Sequence, residues 1–197
     1  MVRVKLCGIR KPEEIDVINE IKPEYMGFVF VKSSKRYISP EDAKELKERL
    51  SPDVKAVGVF VDEAQENILK LLDEKIIDCV QLHGSEDEEY ISSLKKKTDA
   101  FIIKAFKEPF DMQKTEKFPA DMLLFDSGTG SGMTFNWELL KEVERPFILA
   151  GGLNPENVGS AIETLNPYGV DVSSGIETDG KKDIKKIRQF VEHARKA

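Results

Sequence analysis

Residues 2–31 read VRVKLCGIRKPEEIDVINEIKPEYMGFVFV, and the pattern in this stretch decides the fold. Val2–Cys7 alternates apolar with charged or thiol side chains, the period of a strand. Pro12–Ile21 opens on proline and carries an apolar stripe at Ile15, Ile18 and Ile21, the spacing of an amphipathic helix. Tyr25–Val31 is again an apolar run of strand length. Strand, helix and strand in this order make one parallel unit with a right-handed crossover.

The unit repeats along the chain. Further strands are expected at Lys55–Val61, Asp78–Leu82, Ala100–Phe106, Asp121–Phe125, Pro146–Ala150 and Gly169–Val172. Helices are expected from Ser39-Pro40 to about Leu50, at Ala64–Leu72, Glu86–Lys96 and Trp137–Val143, from Asn154 to about Leu165, and at Asp183–Arg195, with a weak short one at Asp111–Lys117. Ser39 as N-cap before Pro40 is a strong helix start. This alternation predicts an α/β fold, and eight strand–helix units are the count of a (β/α)8 TIM barrel; a doubly wound sheet usually has five or six strands. At 197 residues the chain lies near the lower limit for a barrel, so its loops must be short. No linker or shift in composition divides it, and residues 1–197 are expected to form a single compact domain.

Composition narrows the function. The chain has 30 Lys+Arg and 36 Asp+Glu, a net charge of −6. Its longest basic run is Lys95-Lys96-Lys97, which suits the end of a helix. That balance argues against nucleic acid or an anionic membrane as partner. No apolar run approaches the ~18–20 residues of a membrane span, and the alternating N-terminus is not a signal peptide. Two cysteines make no disulfide framework, which predicts a reducing, cytoplasmic setting. Two His and two dispersed Cys have no metal-ligand spacing, so no metal is expected. A charged fraction of 34% with few Gln and Asn resembles thermophile composition; a thermal midpoint in the mesophile range would contradict that reading.

In a barrel, chemistry sits at the C-terminal ends of the strands. This selects Cys7-Gly8, the loop 32–37, Asp62, Gln81–Gly84, Lys104, Asp126, Gly151-Gly152 and Ser173-Ser174-Gly175. The last two groups follow strands seven and eight, where barrels bind phosphate through backbone N–H groups; ordinary tight turns are the alternative. Gly175-Ile176-Glu177 is placed to open a short extra helix with its positive end inward. Alternation puts Arg3, Lys5 and Cys7 on one face of the first strand, so Cys7 points into the barrel mouth; an inert buried cysteine is an equal reading of that position. Asp126 follows Met122-Leu123-Leu124-Phe125, a setting that raises a carboxyl pKa and lets it act as an acid near neutral pH. The alternative is an Asx turn opening the Gly-rich segment 127–132. That segment lacks the P-loop lysine and reads as a mobile cover over the site. Arg36 offers a planar fork to a carboxylate, or is an ordinary surface arginine. His83 reads as loop-shaping, His193 as solvated and Cys79 as core filler.

Several of these motifs occur together in one known family. Lys5-Leu6-Cys7-Gly8-Ile9, Gln81-Leu82-His83-Gly84, Asp126, Thr134-Phe135-Asn136-Trp137, Leu149-Ala150-Gly151-Gly152-Leu153 and Gly169-Val170-Asp171-Val172-Ser173-Ser174-Gly175-Ile176-Glu177 resemble, in order, the phosphoribosylanthranilate isomerases. The resemblance spans essentially the whole chain. It implies a (β/α)8 barrel of tryptophan biosynthesis that isomerises N-(5-phosphoribosyl)anthranilate by an Amadori rearrangement, with no cofactor and no metal. It implies Cys7 and Asp126 as the catalytic pair, Arg36 on the anthranilate carboxylate and Asp171 near the substrate amine. Phosphate contacts map to Gly151, Gly152, Ser173, Ser174 and Gly175. Lys5, on the same strand face as Cys7, is placed to favour the thiolate. The partner is then a small-molecule substrate, and the chain is expected to act as a monomer or homodimer. The chain departs from the family pattern after Asp126. The loop is shorter, it reads Gly130-Ser131-Gly132-Met133 where the family shows Gly-Gly-Thr-Gly, and Asn136 replaces an Asp. These changes bear on loop closure and turnover rate. A related ribotide isomerase family carries Asp where this chain has Cys7, which separates the two.

Overall fold

The computed structural model describes residues 1–107, 111, 115–126 and 137–197, with only the backbone of 137–139. Eight strands close into one parallel barrel: β1 Arg3–Cys7, β2 Tyr25–Val29, β3 Lys55–Phe60, β4 Cys79–Leu82, β5 Phe101–Lys107, β6 Met122–Asp126, β7 Phe147–Ala150 and β8 Gly169–Val172. The ring shuts where β8 pairs with β1, with Arg3 opposite Gly169 and Leu6 opposite Val172. Helices α1 Pro12–Ile21, α2 Pro40–Arg49, α3 Gln65–Asp73, α4 Glu88–Lys95, α5 Val158–Leu165 and α6 Ile184–Lys196 are the α-helices among the described residues. The architecture is the expected TIM barrel, and all eight expected strands are present.

Local chemistry explains the element ends. Ser39 Oγ accepts from the Asp42 N–H and starts α2, as its N-cap position requires. β2 stops at Val29, two residues short of the expected end; beyond it Phe30 N still donates to the Val59 carbonyl, and Ile38 N donates to the Val29 carbonyl. The expected helix Trp137–Val143 is a 3-10 helix over Trp137–Glu142, the tighter form that short pieces adopt. The expected helix Asp111–Lys117 lies partly outside the described residues; within them, Thr115 N and Oγ both donate to the Asp111 carbonyl.

Alternation along the strands divides the core in two. Val4, Leu6, Met26 and Phe28 face outward and pack with Ile15, Ile18, Leu46 and Phe190 of the helices. Each such side chain contributes about 1.5–3 kcal/mol when fully buried. Val57, Cys79, Ile103, Leu124 and Ile148 fill the barrel interior, which makes Cys79 the core filler it was expected to be. Lys5 also points inward and is 1% exposed. Among the described residues no helix is long and apolar enough to cross a membrane.

Candidate active site

A cavity of about 520 Å³ opens at the C-terminal ends of the strands. Cys7, Arg36, Asp126, Gly151, Gly152, Asp171, Ser173 and Ser174 all line it. Residues from the loop after β2 and from the ends of β1, β6, β7 and β8 are thereby gathered into one site. The segment 127–132, expected to cover the site, lies outside the described residues, as do Thr134, Phe135 and Asn136.

Cys7 ends β1, buried with Val29 and Val59 on one side and Lys5 on the other. Its partner in register is Gly27, and a Cβ there would lie 2.9 Å from Cys7 Sγ and 3.3 Å from Lys5 Nζ. Lys5 Nζ donates to both carboxylate oxygens of Asp171, at 3.0 Å each. Burial pushes the Cys7 thiol up, Lys5 draws it down, Asp171 raises it again, and the balance lies above the ordinary thiol value. Burial opposes the Lys5 charge, but Asp171 and Cys7 outweigh it and hold its pKa above the ordinary lysine value. Lys5 does favour the thiolate, as its spacing predicts. Asp171 shares that cation and works against the thiolate.

Arg36 is anchored by the segment that follows β8, two strands away around the ring. Its Nε and Nη2 donate to Glu177 Oε1 and Oε2 at 2.6 and 2.8 Å. Among the described residues Nη1 has no partner, so one side of the fork is left for a ligand. Glu177 also accepts from Lys182 Nζ at 2.9 Å, and Lys182 donates to the Ser173 carbonyl at 2.9 Å. Burial would raise the Glu177 carboxyl, but the Arg36 and Lys182 bonds bring it down to about 2. Ser173 Oγ donates to the Cys7 carbonyl at 3.1 Å and ties the last loop to the first strand.

Glu177 and Lys182 lie on a hairpin, β9 Glu177–Thr178 and β10 Lys181–Lys182. Before it, Ser174–Ile176 makes a single 3-10 turn, where a short inward-pointing helix was expected. A turn of this length has almost no aligned dipole, so any anion there meets individual N–H groups. Gly151 and Gly152 have φ of 84° and 65°, a left-handed pair that only glycine adopts at no steric cost. Gly175 does not line the cavity. A Cβ at that position would lie 1.8 Å from the Leu153 carbonyl oxygen, so its glycine lets the loops after β7 and β8 pack backbone to backbone.

Asp126 meets His83, whose Nε2 lies 3.2 Å from Asp126 Oδ2. His83 Nδ1 lies 3.0 Å from Gln81 Nε2. The histidine read as loop-shaping therefore also faces the site, a role that its isolation in the sequence conceals. Lys104, expected at the mouth, instead faces outward and binds Glu86 Oε2 and the Gly84 carbonyl at 2.7 Å each. β5 runs one residue further than expected, and Lys107, opposite Asp126 in register, is the strand's cation at the cavity. Asp62 accepts from Ser85 N and Oγ and pins the loop after β4. Among the described residues no group of three or more His, Cys, Asp or Glu side chains could hold a metal ion.

Residues 4–193 match the family model described as N-(5'-phosphoribosyl)anthranilate (PRA) isomerase. An N-(5'-phosphoribosyl)anthranilate isomerase of Thermoanaerobacter sp. (strain X514) is 48% identical over 202 residues, covering 99% of this chain and 98% of its own. The enzyme of the same name from Clostridium acetobutylicum is 46% identical over 207 residues, covering 100% and 99%. Among solved structures, the phosphoribosyl anthranilate isomerase from Thermotoga maritima superposes with a TM-score of 0.91 at 42% identity, covering all of both chains. A phosphoribosyl anthranilate isomerase in complex with reduced 1-(o-carboxyphenylamino)-1-deoxyribulose 5-phosphate does so with 0.89 at 40%, again covering both chains in full.

Proposed function

The chain belongs to the phosphoribosylanthranilate isomerase family, and from that premise we propose how its own residues carry out the reaction. The enzyme isomerises N-(5-phosphoribosyl)anthranilate to 1-(2-carboxyphenylamino)-1-deoxyribulose 5-phosphate, an Amadori rearrangement in tryptophan biosynthesis. Backbone N–H groups at Gly151, Gly152, Ser173 and Ser174 hold the phosphate. Arg36 takes the anthranilate carboxylate on the side of its guanidinium that Glu177 leaves open. Gly175 supports the phosphate loop by its close packing on Leu153. Holding both ends of the substrate lays the ribose across the mouth and supplies orientation.

Protonated Asp126 then donates to the ribose ring oxygen as the C1–O bond breaks, giving an iminium between C1 and the anthranilate nitrogen. The Cys7 thiolate takes the proton from C2 to form an S–H bond, the C2–H electron pair becomes the C1–C2 double bond, and the iminium pair returns to nitrogen, giving the enolamine. Protonation at C1 and loss of the C2 hydroxyl proton give the ketone. Asp171 lies near the substrate amine and fixes Lys5 beside the thiol. The observation that carries this reading is that Cys7, Asp126 and Arg36 open onto one cavity with the two loops that follow β7 and β8.

The test generates the substrate in place from anthranilate and phosphoribosyl pyrophosphate and follows its loss. Cys7→Ala and Asp126→Asn are each expected to lower kcat by about 10²–10⁴ with little loss of product-analogue binding. Retained turnover in Cys7→Ala would overturn the base assignment. On the same reading, residues 1–197 act as one catalytic domain in the cytoplasm, as monomer or homodimer. The net charge of −6 supports a small molecule rather than nucleic acid as the partner.

A further inference from the structure

We infer that Gln81 and His83 are positioning residues that load and hold, through one hydrogen-bonded chain, the proton that Asp126 delivers. The inference rests on Asp126 being the acid. Gln81 is 1% exposed, and it, His83 and Asp126 all line the cavity. The chain runs from Gln81 Nε2 to His83 Nδ1 at 3.0 Å and from His83 Nε2 to Asp126 Oδ2 at 3.2 Å. Gln81 Oε1 is buried and, among the described residues, has no partner. The amide is thus satisfied on one side only and has a second use open to it.

The two orientations of that amide correspond to two proton states. With Nε2 toward the ring, the amide donates to Nδ1, the ring hydrogen sits on Nε2, and Asp126 is a carboxylate; this is the unloaded state. Turned over, the amide oxygen accepts from Nδ1–H. Nε2 then shares one further proton with Asp126, as imidazolium facing carboxylate or imidazole facing carboxylic acid; this is the loaded state. A lone carboxyl with a pKa of ~3.9 is protonated in only about one part in a thousand at pH 7, whereas an imidazole near ~6.5 is protonated in about a quarter. A proton shared across the 3.2 Å between His83 Nε2 and Asp126 Oδ2 is one that a lone carboxyl would not hold.

The scaffold keeps the imidazole in place. His83 N donates to the Phe60 carbonyl at 2.8 Å. Glu86 accepts from Gly84 N and Asp62 N at 2.9 and 2.8 Å and is itself held by Lys104. Among the described residues, the other charged or titratable groups at the mouth are Lys107 on β5, Lys35 and Arg36 after β2, Cys7 on β1 and Asp171 on β8. All of them are retained when His83 is replaced, so a changed pH profile in that variant reports on the relay.

The chain has 2 His, and His193 is exposed on α6, so an NMR titration resolves His83 with an internal control. In Asp126→Asn the His83 midpoint is expected to fall while that of His193 stays. In His83→Asn, the limb of the kcat profile that belongs to the acid moves about two units lower. Turnover at pH 7 falls about a hundredfold, and KM changes little. A merely structural histidine would lower kcat at every pH and leave the limb in place, which would overturn the relay, as would an unmoved His83 midpoint. The titration needs only Asp126→Asn, so it decides the question even where His83→Asn does not fold. Activity of Asp126→Asn separates the two readings. If it is inactive and neither limb nor midpoint moves, the relay alone falls; if it turns over normally, the acid assignment falls and the relay with it.

Discussion

Gly27 on β2 faces Cys7 on β1, and the missing side chain at 27 is what gives the thiol its place: a Cβ there would come within 2.9 Å of Cys7 Sγ. Gly27→Ala must therefore push the sulfur or the Lys5 ammonium aside. Displacement of a reacting group by about 1 Å costs on the order of a hundredfold in rate. The variant is expected to lose kcat by about ten- to a hundredfold with KM nearly unchanged, as read by steady-state kinetics.

Gly175→Ala and Gly159→Ala should move stability in opposite directions. The first forces a Cβ to within 1.8 Å of the Leu153 carbonyl, overpacking that costs about 1–3 kcal/mol. It should also weaken inorganic phosphate binding by disturbing both loops. Gly159 lies in α5 with nothing within 4 Å of its would-be Cβ, so alanine there gains about 0.5–1 kcal/mol. Denaturant midpoints of the two variants check the pair.

Glu177 links Arg36 to Lys182, and its carboxyl is held down at about 2. A carboxyl lowered on folding contributes stability above its unfolded pKa and loses it as pH falls through the folded one. The wild type should therefore lose this contribution between about pH 4.5 and pH 2. Glu177→Gln should be less stable at neutral pH, by on the order of 3 kcal/mol for a broken buried pair, and should show a shallower acid slope. It should also raise KM, because Arg36 loses its anchor. Urea unfolding across that pH range, with kinetics at neutral pH, tests all three.

Lys5→Met removes the cation that both Asp171 and Cys7 use. Asp171 would be left charged and buried, a loss of about 3–5 kcal/mol. The Cys7 thiol, raised by burial and drawn down by Lys5, should titrate at still higher pH. Alkylation requires the thiolate, so the pH dependence of Cys7 labelling by iodoacetamide should move upward. Cys79, buried in the barrel interior with its thiol pushed up to about 11, should stay unreactive in both proteins.

The sequence by itself determined the eight strand–helix units, their order and the faces of β1. Periods of two and of 3.6 are properties of neighbouring residues and need no partner elsewhere. It also placed Cys7, Asp126, Arg36 and the glycine loops, because a barrel puts every strand end at one mouth. Only the tertiary structure decided what each charge does there. Lys5 finds Asp171 across 166 positions and Arg36 finds Glu177 across 141, contacts set by the register in which β8 closes on β1 and by the hairpin that follows it. Lys104 turned outward and Lys107 inward because alternation puts them on the faces of Ile102 and of Ile103 and Ala105 respectively, and His83 met Asp126 because loops 43 positions apart in the chain end side by side. Local pattern encodes which element forms and which face it buries; which side chains then share a proton or an ion pair depends on how the ring closes, and that is a property of the whole chain.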